Sequence, residues 1–319
     1  MKAIVYTEYG GPEVLRMADV ARPIPKDEEV LVRVHAASLN DWDWGLLQGD
    51  FINRLMYGWK KPRKQILGSD VAGRVEAVGK YVTRFRVGEA VYGDLSGRWG
   101  GFAEYVCVPE KSLELKPAGM SFLEAAAIPQ AGMLAVQGLI DRGGISRRQN
   151  ILINGAGGGV GTFALQIAKQ FETEVTGVDS TGKLDMLRSL GFDHVVDYTF
   201  EDFTRLDRRY DLILDVKTNR SMFDYARVLR PGGVYVTVGG SSRHLLQALA
   251  LAPLITMTRK KHIRIVMLKP NKDLGYLNDL FEGGKLKPVI DGPYRMEEIA
   301  EAFRIFGAGE HKGKIVIRI

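Results

Sequence analysis

A run of glycines between an apolar segment and a helical pattern is the feature that most constrains how this chain can fold. The run covers residues 155–161, follows the apolar residues 150–154 and precedes the helical pattern at 162–169. Backbone N–H groups at the start of a helix have no partner inside the helix, and the helix dipole favours an anion there. Glycine has no side chain, so a phosphate can approach the backbone closely. This order of strand, turn and helix predicts a site for the pyrophosphate of a dinucleotide.

The residues of this glycine loop are the first candidates for cofactor binding, and a purely structural turn is the alternative. They match the dinucleotide pattern with alanine in place of the first glycine: Ala156, Gly157, Gly158, Gly159, Val160 and Gly161. Asp179 follows the next apolar segment, 174–178. It stands about 20 residues further on, where an acidic residue accepts a hydrogen bond from the ribose 2′-hydroxyl group of NADH.

The composition indicates a folded protein of a reducing compartment. The chain has 319 residues, of which 45% are hydrophobic and 26% are charged, as is typical of globular proteins. Cys107 is the single cysteine, so the chain can form neither an internal disulfide nor a zinc site of several thiolates. Because the first residues follow a strand pattern and not that of a signal peptide, we expect a cytoplasmic protein.

Neither nucleic acid nor a membrane is an expected partner. The net charge is +6, but the basic residues are spread along the chain, with only small clusters at 60–64 and 259–261. The longest apolar stretch, 245–257, is too short to span a bilayer. It fits a core, a subunit contact or the lining of a substrate pocket.

The pattern of strands and helices predicts two domains and an α/β fold class. The first third contains short strand patterns broken by Gly and Pro, which favour a barrel-like β domain. After residue 121 strands alternate with helices, which predicts a doubly wound parallel sheet with strands at 151–153, 175–178, 194–198, 212–215 and 234–238. Past residue 260, strand patterns at 263–268 and 315–319 and an amphipathic helix at 296–306 indicate a return to the first domain. The expected domains are therefore 1–121 with 263–319, and 122–262.

Several separated motifs together resemble the medium-chain dehydrogenase/reductase superfamily, and most closely its zinc-free quinone oxidoreductase (zeta-crystallin-like) branch. Besides the glycine loop they are residues 1–3, 10–15, 37–40, 67–73, 101–105 and 229–233. The resemblance implies a GroES-like β-barrel domain that contacts the substrate and a Rossmann domain that binds NAD(P)H. It also implies hydride transfer to a small-molecule acceptor, in a homodimer.

A catalytic zinc ion is not expected. Zinc-dependent relatives bind the ion with Cys, His and Cys, which suits its preference for nitrogen and sulfur. Here the first ligand position is Asn40, and the Gly-His-Glu motif of the zinc enzymes reads Gly68-Ser69-Asp70. Carboxylate ligands from Asp41, Asp43 or Asp70 are the alternative. Without a Lewis acid the favoured acceptor is already electrophilic, which indicates a quinone or an α,β-unsaturated carbonyl.

The same resemblance supplies candidates near the substrate. Asn40 matches the asparagine beside the nicotinamide, where its amide would bind a substrate carbonyl; a turn-forming asparagine is the alternative. Phe51 stands where relatives have a tyrosine, which removes a hydroxyl group. The nearby aromatic residues are expected either to stack on a ring substrate or to pack in the core: Trp42, Trp44, Tyr57 and Trp59.

The cofactor is expected to be NADPH or NADH, with a slight preference for NADPH. Ser180 and Lys183 resemble the Ser-x-x-Lys pattern that holds NADPH in this branch, whereas Asp179 would repel a 2′-phosphate. Lys217 would reach a phosphate or the substrate, or else be a solvated surface lysine. Three further candidates lie nearer the nicotinamide or in the returning segment, with a turn as the alternative for the last: Gly239 and Gly240 (followed by Ser241), and Asn271.

Two other functions stay open at this point. One is a reductase of an enoyl thioester. The other is a nucleotide-binding protein with little turnover, which is favoured by departures from the family pattern at Phe51, Leu134 and Lys217.

Overall fold

The computed structural model of the protein describes residues 1–240 and 242–319. The chain forms two compact units, one of Met1–Ala131 with Pro270–Ile319 and one of Gly132–Lys269. These units divide later in the chain than the expected boundaries at 121 and 262. The chain therefore leaves the first unit and returns to it, as the C-terminal strand and helix patterns predict.

Strands outnumber helices in the first segment of the first unit. Its strands are β1 (Lys2–Val5), β2 (Arg16–Asp19), β3 (Glu29–Ser38), β4 (Asp70–Val78), β5 (Ala90–Asp94), β6 (Tyr105–Pro109) and β7 (Glu114–Leu115). Its helices are α1 (Asp41–Gln48), α2 (Phe51–Tyr57) and α3 (Phe122–Ala127). Helix α1 begins after Asn40 and ends at Gly49, whose φ of 63° lies in the left-handed region that favours glycine.

The second unit is a parallel sheet with helical crossovers. Its elements are α4 (Pro129–Val136), a π-helical turn at Gln137–Arg142, β8 (Asn150–Asn154), α5 (Gly159–Lys169), β9 (Glu174–Asp179), α6 (Leu184–Leu190), β10 (His194–Asp197), β11 (Tyr210–Asp215), α7 (Met222–Val228), β12 (Leu229–Thr237), α8 (Ser242–Arg259) and β13 (His262–Ile265). The strand order is β10-β9-β8-β11-β12-β13, and every pair is parallel. This order reverses beside β8, which confirms the doubly wound sheet.

One strand was assigned to the wrong domain. The pattern at 263–268 was expected to return to the first unit, but β13 pairs in parallel with β12, from Val234 opposite His262 to Thr237 opposite Ile265. A strand pattern carries no information about its partner, and the crossover helix α8 brings this strand back to the parallel sheet.

The returning segment completes the first unit. It contains α9 (Leu274–Glu282), β14 (Ile290–Arg295), α10 (Ile299–Ala308) and β15 (Lys314–Arg318). Its sheet has the order β14-β15-β3-β4-β5-β7, with β6 also paired to β3. One end of β3 pairs with β6 and the other end with β15, which brings Val316 opposite Ser38. Residues from the last fifty positions therefore lie beside the start of α1.

The apolar stretch at 245–257 lies within α8. Ala248 and Ile255 join the core of the second unit, while Leu246, Leu249 and Met257 are exposed. Among the described residues, no helix combines the length and the apolar character that crossing a bilayer requires.

Candidate functional site

The glycine loop links β8 to α5 and is held against β9. Gly155 has a φ of 81°, and the N–H groups of Gly155 and Ala156 donate to the carbonyl oxygen of Val178 at 3.0 and 3.1 Å. Gly158 is the N-cap of α5 in an extended conformation. A glycine cap has no side chain that accepts a hydrogen bond from the first N–H groups of the helix, so these groups are suited to bind an anion.

At two positions in the loop other atoms lie so close that a Cβ atom would force a neighbour to shift. A Cβ atom on Gly161 would lie 2.4 Å from the carbonyl oxygens of both Gly155 and Ala156. A Cβ atom on Gly157 would lie 2.7 Å from Cδ of Lys183 and 3.1 Å from Oδ2 of Asp179. The loop is therefore a narrow backbone cradle, which fits the requirement of a dinucleotide pyrophosphate.

Asp179 ends β9 and turns its carboxylate toward this cradle. Its Oδ2 accepts a hydrogen bond from the Gly157 N–H at 2.7 Å, and its Oδ1 accepts one from the Ser180 N–H at 2.9 Å. Lys183 Nζ lies 3.6 Å from Oδ1, and both side chains are less than 10% exposed. The structure thus brings Asp179, Ser180 and Lys183 together beside the glycine loop, with the negative charge of Asp179 paired.

The ends of β11 and β12 lie at the same carboxyl edge of the sheet. Buried Asp215 accepts hydrogen bonds from Asn154 Nδ2 at 2.8 Å and from the Lys217 N–H at 3.1 Å, so it joins β8 to β11. Burial raises the pKa of Asp215, while hydrogen bonds from Tyr225 and Tyr235 oppose this shift. These contacts fix the backbone that carries the exposed side chain of Lys217 past Gly155.

The turn after β12 is close to the turn after β11. The Gly239 carbonyl accepts a hydrogen bond from Thr218 Oγ1 at 2.7 Å. Gly240 forms a bridge with Thr218 at a φ of 133°, where a Cβ atom would lie 2.6 Å from Cβ of Thr218. The candidates Gly239 and Gly240 therefore share one sheet edge with the glycine loop. Ser241 lies outside the described residues.

Asn271 belongs to the first unit, where its side chain forms hydrogen bonds with the end of β5. Its φ is 61°, and its Oδ1 accepts the N–H of Asp94 while its Nδ2 donates to the carbonyl oxygen of Asp94, both at 2.8 Å. The side-chain amide is thus used within the unit, as the turn alternative would have it. A contact of Asn271 with the cofactor stays a prediction.

Asn40 lies in a buried polar cluster of the first unit. Its Nδ2 donates to Ser69 Oγ and to Asp70 Oδ2, both at 2.9 Å, and its Oδ1 accepts a hydrogen bond from Lys314 Nζ at 2.6 Å. Both amide protons are therefore engaged inside the protein. The predicted hydrogen bond from Asn40 to a substrate requires one of these bonds to be exchanged.

Asp70 and Lys314 form the charged pair of this cluster. Lys314 Nζ lies 3.3 Å from Asp70 Oδ2 and also donates to the Leu39 carbonyl at 3.1 Å. The two side chains are 0% and 4% exposed. Lys314 is absent from the sequence-based candidates, because a single lysine at the start of a strand gives no signal that it reaches Asn40, 274 positions earlier.

Two buried carboxyl groups near this pair have strongly raised pKa values. Asp43 accepts hydrogen bonds from the N–H groups of Asn40 and Gly68, yet burial raises its pKa to about 7. Burial and the neighbouring Asp70 raise the pKa of Asp94 to about 7. Its Oδ1 accepts a hydrogen bond from the Ser96 N–H, whereas its Oδ2 has no partner among the described residues.

The aromatic candidates separate into two groups. Trp44 packs on Phe303 and Phe306, with ring centres 6.4 Å apart in each pair, and contacts the hydrophobic core. The ring of Trp44 is thus used for packing, as the core alternative has it, and a contact of Trp44 with a substrate stays a prediction. Trp42 and Phe51 are 53% and 68% exposed, and their contact with a substrate stays a prediction.

Across the described ranges, no group of three or more His, Cys, Asp and Glu side chains is arranged to hold a metal ion. The positions that correspond to zinc ligands or their neighbours, Asn40, Ser69 and Asp70, are instead joined to one another by hydrogen bonds.

Two protein-family models match parts of the chain. Residues 26–118 match the family model of the alcohol dehydrogenase GroES-like domain, and residues 190–317 match that of zinc-binding dehydrogenases. The chain is 36% identical to a 2-methylene-furan-3-one reductase of Solanum lycopersicum and 35% identical to a chloroplastic NADPH-dependent alkenal/one oxidoreductase of Arabidopsis thaliana. Each alignment covers 99% of this chain and 79% of the relative.

A solved structure has a similar fold over the full length of the chain. The quinone oxidoreductase from Coxiella burnetii superposes with a TM-score of 0.89 at 28% identity, covering 100% of this chain and 99% of that chain. The predicted combination of a GroES-like domain and a Rossmann-type parallel-sheet domain is confirmed. The chain therefore belongs to the medium-chain dehydrogenase/reductase superfamily, in its quinone oxidoreductase branch.

Proposed function

We propose that this protein is an NAD(P)H-dependent reductase that transfers a hydride to a quinone or to an α,β-unsaturated carbonyl compound, without zinc. The main observation behind the proposal is the glycine cradle at the start of α5, where the Gly157 N–H donates a hydrogen bond to Asp179 Oδ2 at 2.7 Å. The relatives named as an alkenal/one oxidoreductase and as a quinone oxidoreductase support the reaction class.

The residues of the chain account for binding and orientation. The backbone N–H groups at the start of α5 would hold the pyrophosphate, and Asp179, Ser180 and Lys183 would hold the adenosine ribose. NAD(P)H, when bound, supplies the hydride. A quinone or an enone is already electrophilic, so the protein has to align it and to offer hydrogen bonds to the oxygen on which charge develops.

Asn40 is our candidate for one such hydrogen bond. Lys314 holds the amide oxygen at 2.6 Å, which fixes the amide plane and leaves the NH₂ group as the donor. An acceptor oxygen would replace Ser69 or Asp70 as the partner of one amide proton. The variant Asn40→Ala should lower kcat by about a hundredfold with a smaller effect on the cofactor KM. An unchanged kcat would remove Asn40 from the mechanism.

NADPH is the proposed coenzyme. Lys183 offers a positive charge beside the ribose site, and the charge of Asp179 is offset by this lysine at 3.6 Å. The Arabidopsis relative is named as an NADPH-dependent enzyme, which supports the same choice.

The deciding experiment is anaerobic oxidation of NADPH and of NADH, side by side, with an ortho-quinone, a para-quinone and a simple enone. We expect turnover with at least one acceptor class and a lower KM for NADPH. No turnover, together with saturable coenzyme binding measured by fluorescence, would refute the proposal and favour a thioester substrate or a non-catalytic role.

We also propose a cytoplasmic homodimer. Within the described part of the chain, no strand pairs with the outer edge of β13. This edge and the exposed residues Leu246 and Leu249 of α8 are suited to a subunit contact. The single cysteine supports a reducing compartment. Light scattering during gel filtration measures the mass, and a monomer at micromolar concentration would contradict the dimer.

A further inference from the structure

Helix α2 and the loop after it combine exposed apolar side chains with positive charge. The segment 51–64 contains five Lys and Arg residues and no acidic residue. We define the α2 surface by its apolar members Phe51, Ile52, Leu55, Met56 and Trp59 and by its exposed cations Lys60, Lys61 and Arg63.

The exposure of the apolar members is unusual for a helix of a folded protein. Their exposed fractions run from 51% at Ile52 to 69% at Leu55, and α2 contains no buried residue. Helices of globular proteins normally turn an apolar face to the core. A contiguous exposed apolar patch with a polar rim marks an interaction site.

The helix is firmly attached, so the exposure does not come from a loose segment. Asp50 caps the helix by accepting the Asn53 N–H at 2.8 Å. Tyr9 Oη donates to the Gly58 carbonyl at 2.6 Å, just after the last turn. The Arg54 guanidinium lies 4.5 Å from the ring centre of Tyr9 and donates to the Gly49 carbonyl. These contacts hold one side of α2 against the protein, and the apolar members are exposed to solvent.

The cations beside the apolar members indicate what kind of surface binds there. We propose that the α2 surface binds the surface of a bilayer that contains anionic lipids. Apolar side chains would enter the boundary of the acyl chains, with Trp59 at headgroup level, and Lys60, Lys61 and Arg63 would face the phosphates. The exposed lysines lie in the loop directly after the exposed apolar residues of α2, so positive charge adjoins apolar area, which favours an anionic lipid surface over a protein partner.

The proposal revises the sequence-based expectation that the protein has no membrane partner. It concerns binding at the surface and requires no spanning helix. Phe51 and Trp59 are also candidates for contact with the substrate, so the test changes only other members of the surface and its readout does not depend on turnover.

The test is flotation of the full chain with vesicles of pure phosphatidylcholine and with vesicles that also contain phosphatidylglycerol. We expect binding to the anionic vesicles at low salt and a loss of binding as the salt concentration rises. The double variant Lys60→Glu/Lys61→Glu should lower the partition coefficient at least about tenfold, since each cation near an anionic surface contributes about fivefold. Leu55→Asp/Met56→Asp should lower it by a similar factor.

Two matched controls test whether the position of the changes matters. Lys285→Glu/Lys312→Glu alters exposed lysines elsewhere, and Ile24→Asp/Val87→Asp alters exposed apolar residues outside the α2 surface. Both should bind as the wild type does. Absence of binding to anionic vesicles would overturn the proposal, as would an equal loss in the controls. A change of molecular mass in Leu55→Asp/Met56→Asp would assign the surface to a second copy of the chain instead.

Discussion

Replacing Lys314 by methionine tests the buried pair that underlies the Asn40 cluster. The lysine is 4% exposed and Asp70 is 0% exposed, and Nζ contacts Asn40 Oδ1, the Leu39 carbonyl and Asp70 Oδ2 at 2.6, 3.1 and 3.3 Å. Methionine keeps most of the apolar stem and removes the ammonium group. The variant therefore leaves the Asp70 carboxylate buried without its cation.

The expected cost is large because the lost partner is a charge. Removing one member of a buried ion pair costs about 3–5 kcal/mol of folding free energy. With a urea m-value of about 2 kcal/mol per M, the unfolding midpoint should fall by about 2 M. Changing Asp70→Asn in addition should recover at least half of this loss, since the double variant no longer buries an unpaired charge.

Tryptophan fluorescence during urea unfolding is the assay. All four tryptophans, Trp42, Trp44, Trp59 and Trp99, lie in the first unit, so the signal reports the unit that contains the pair. Lys312→Met is the matched control, because it removes an exposed lysine two positions away and should change stability by less than about 0.5 kcal/mol. The reasoning is refuted if Lys314→Met costs no more than Lys312→Met.

Three further outcomes are expected. Lys183→Met should raise the KM for NADPH about tenfold or more and the KM for NADH much less; equal changes in steady-state kinetics would remove Lys183 from the phosphate site. Gly161→Ala should weaken coenzyme binding and lower the free energy of unfolding by about 1–3 kcal/mol, because its Cβ would lie 2.4 Å from two carbonyl oxygens. At Gly182 a Cβ atom has open space, so Gly182→Ala should bind the coenzyme normally in a fluorescence titration. Folding raises the pKa of Asp94 from 3.8 to about 7. Asp94 therefore stabilises the fold below about pH 4, and this stabilisation is lost as the pH rises through about 7. In Asp94→Asn the free energy of unfolding in urea should depend less on pH over this range, and an unchanged dependence would contradict the shift.

The candidate cofactor site could be predicted because its signals are local. The glycine loop, the strand before it and Asp179 after the next strand are adjacent along the chain, and parallel strands bring their carboxyl ends to one edge. The substrate side was less predictable. Trp44 and Trp42 are two positions apart and have the same chemistry, but Trp44 packs on Phe303 in the core, whereas Trp42 contacts Trp99 and is still 53% exposed. Their difference depends on the position of α10, which no local pattern gives.

By itself the sequence determined the alternation of strands and helices, the glycine cradle and the family, because these follow from periodicity, backbone freedom and collinear motifs. The tertiary structure decided which sheet receives β13, since a strand's hydrogen bonds are satisfied by whichever edge the crossover reaches. It also decided that Lys314 meets Asn40 and Asp70, because the pairing of β15 with β3 joins parts of the chain that are far apart in sequence. A buried charge is stable only where such a partner is brought to it.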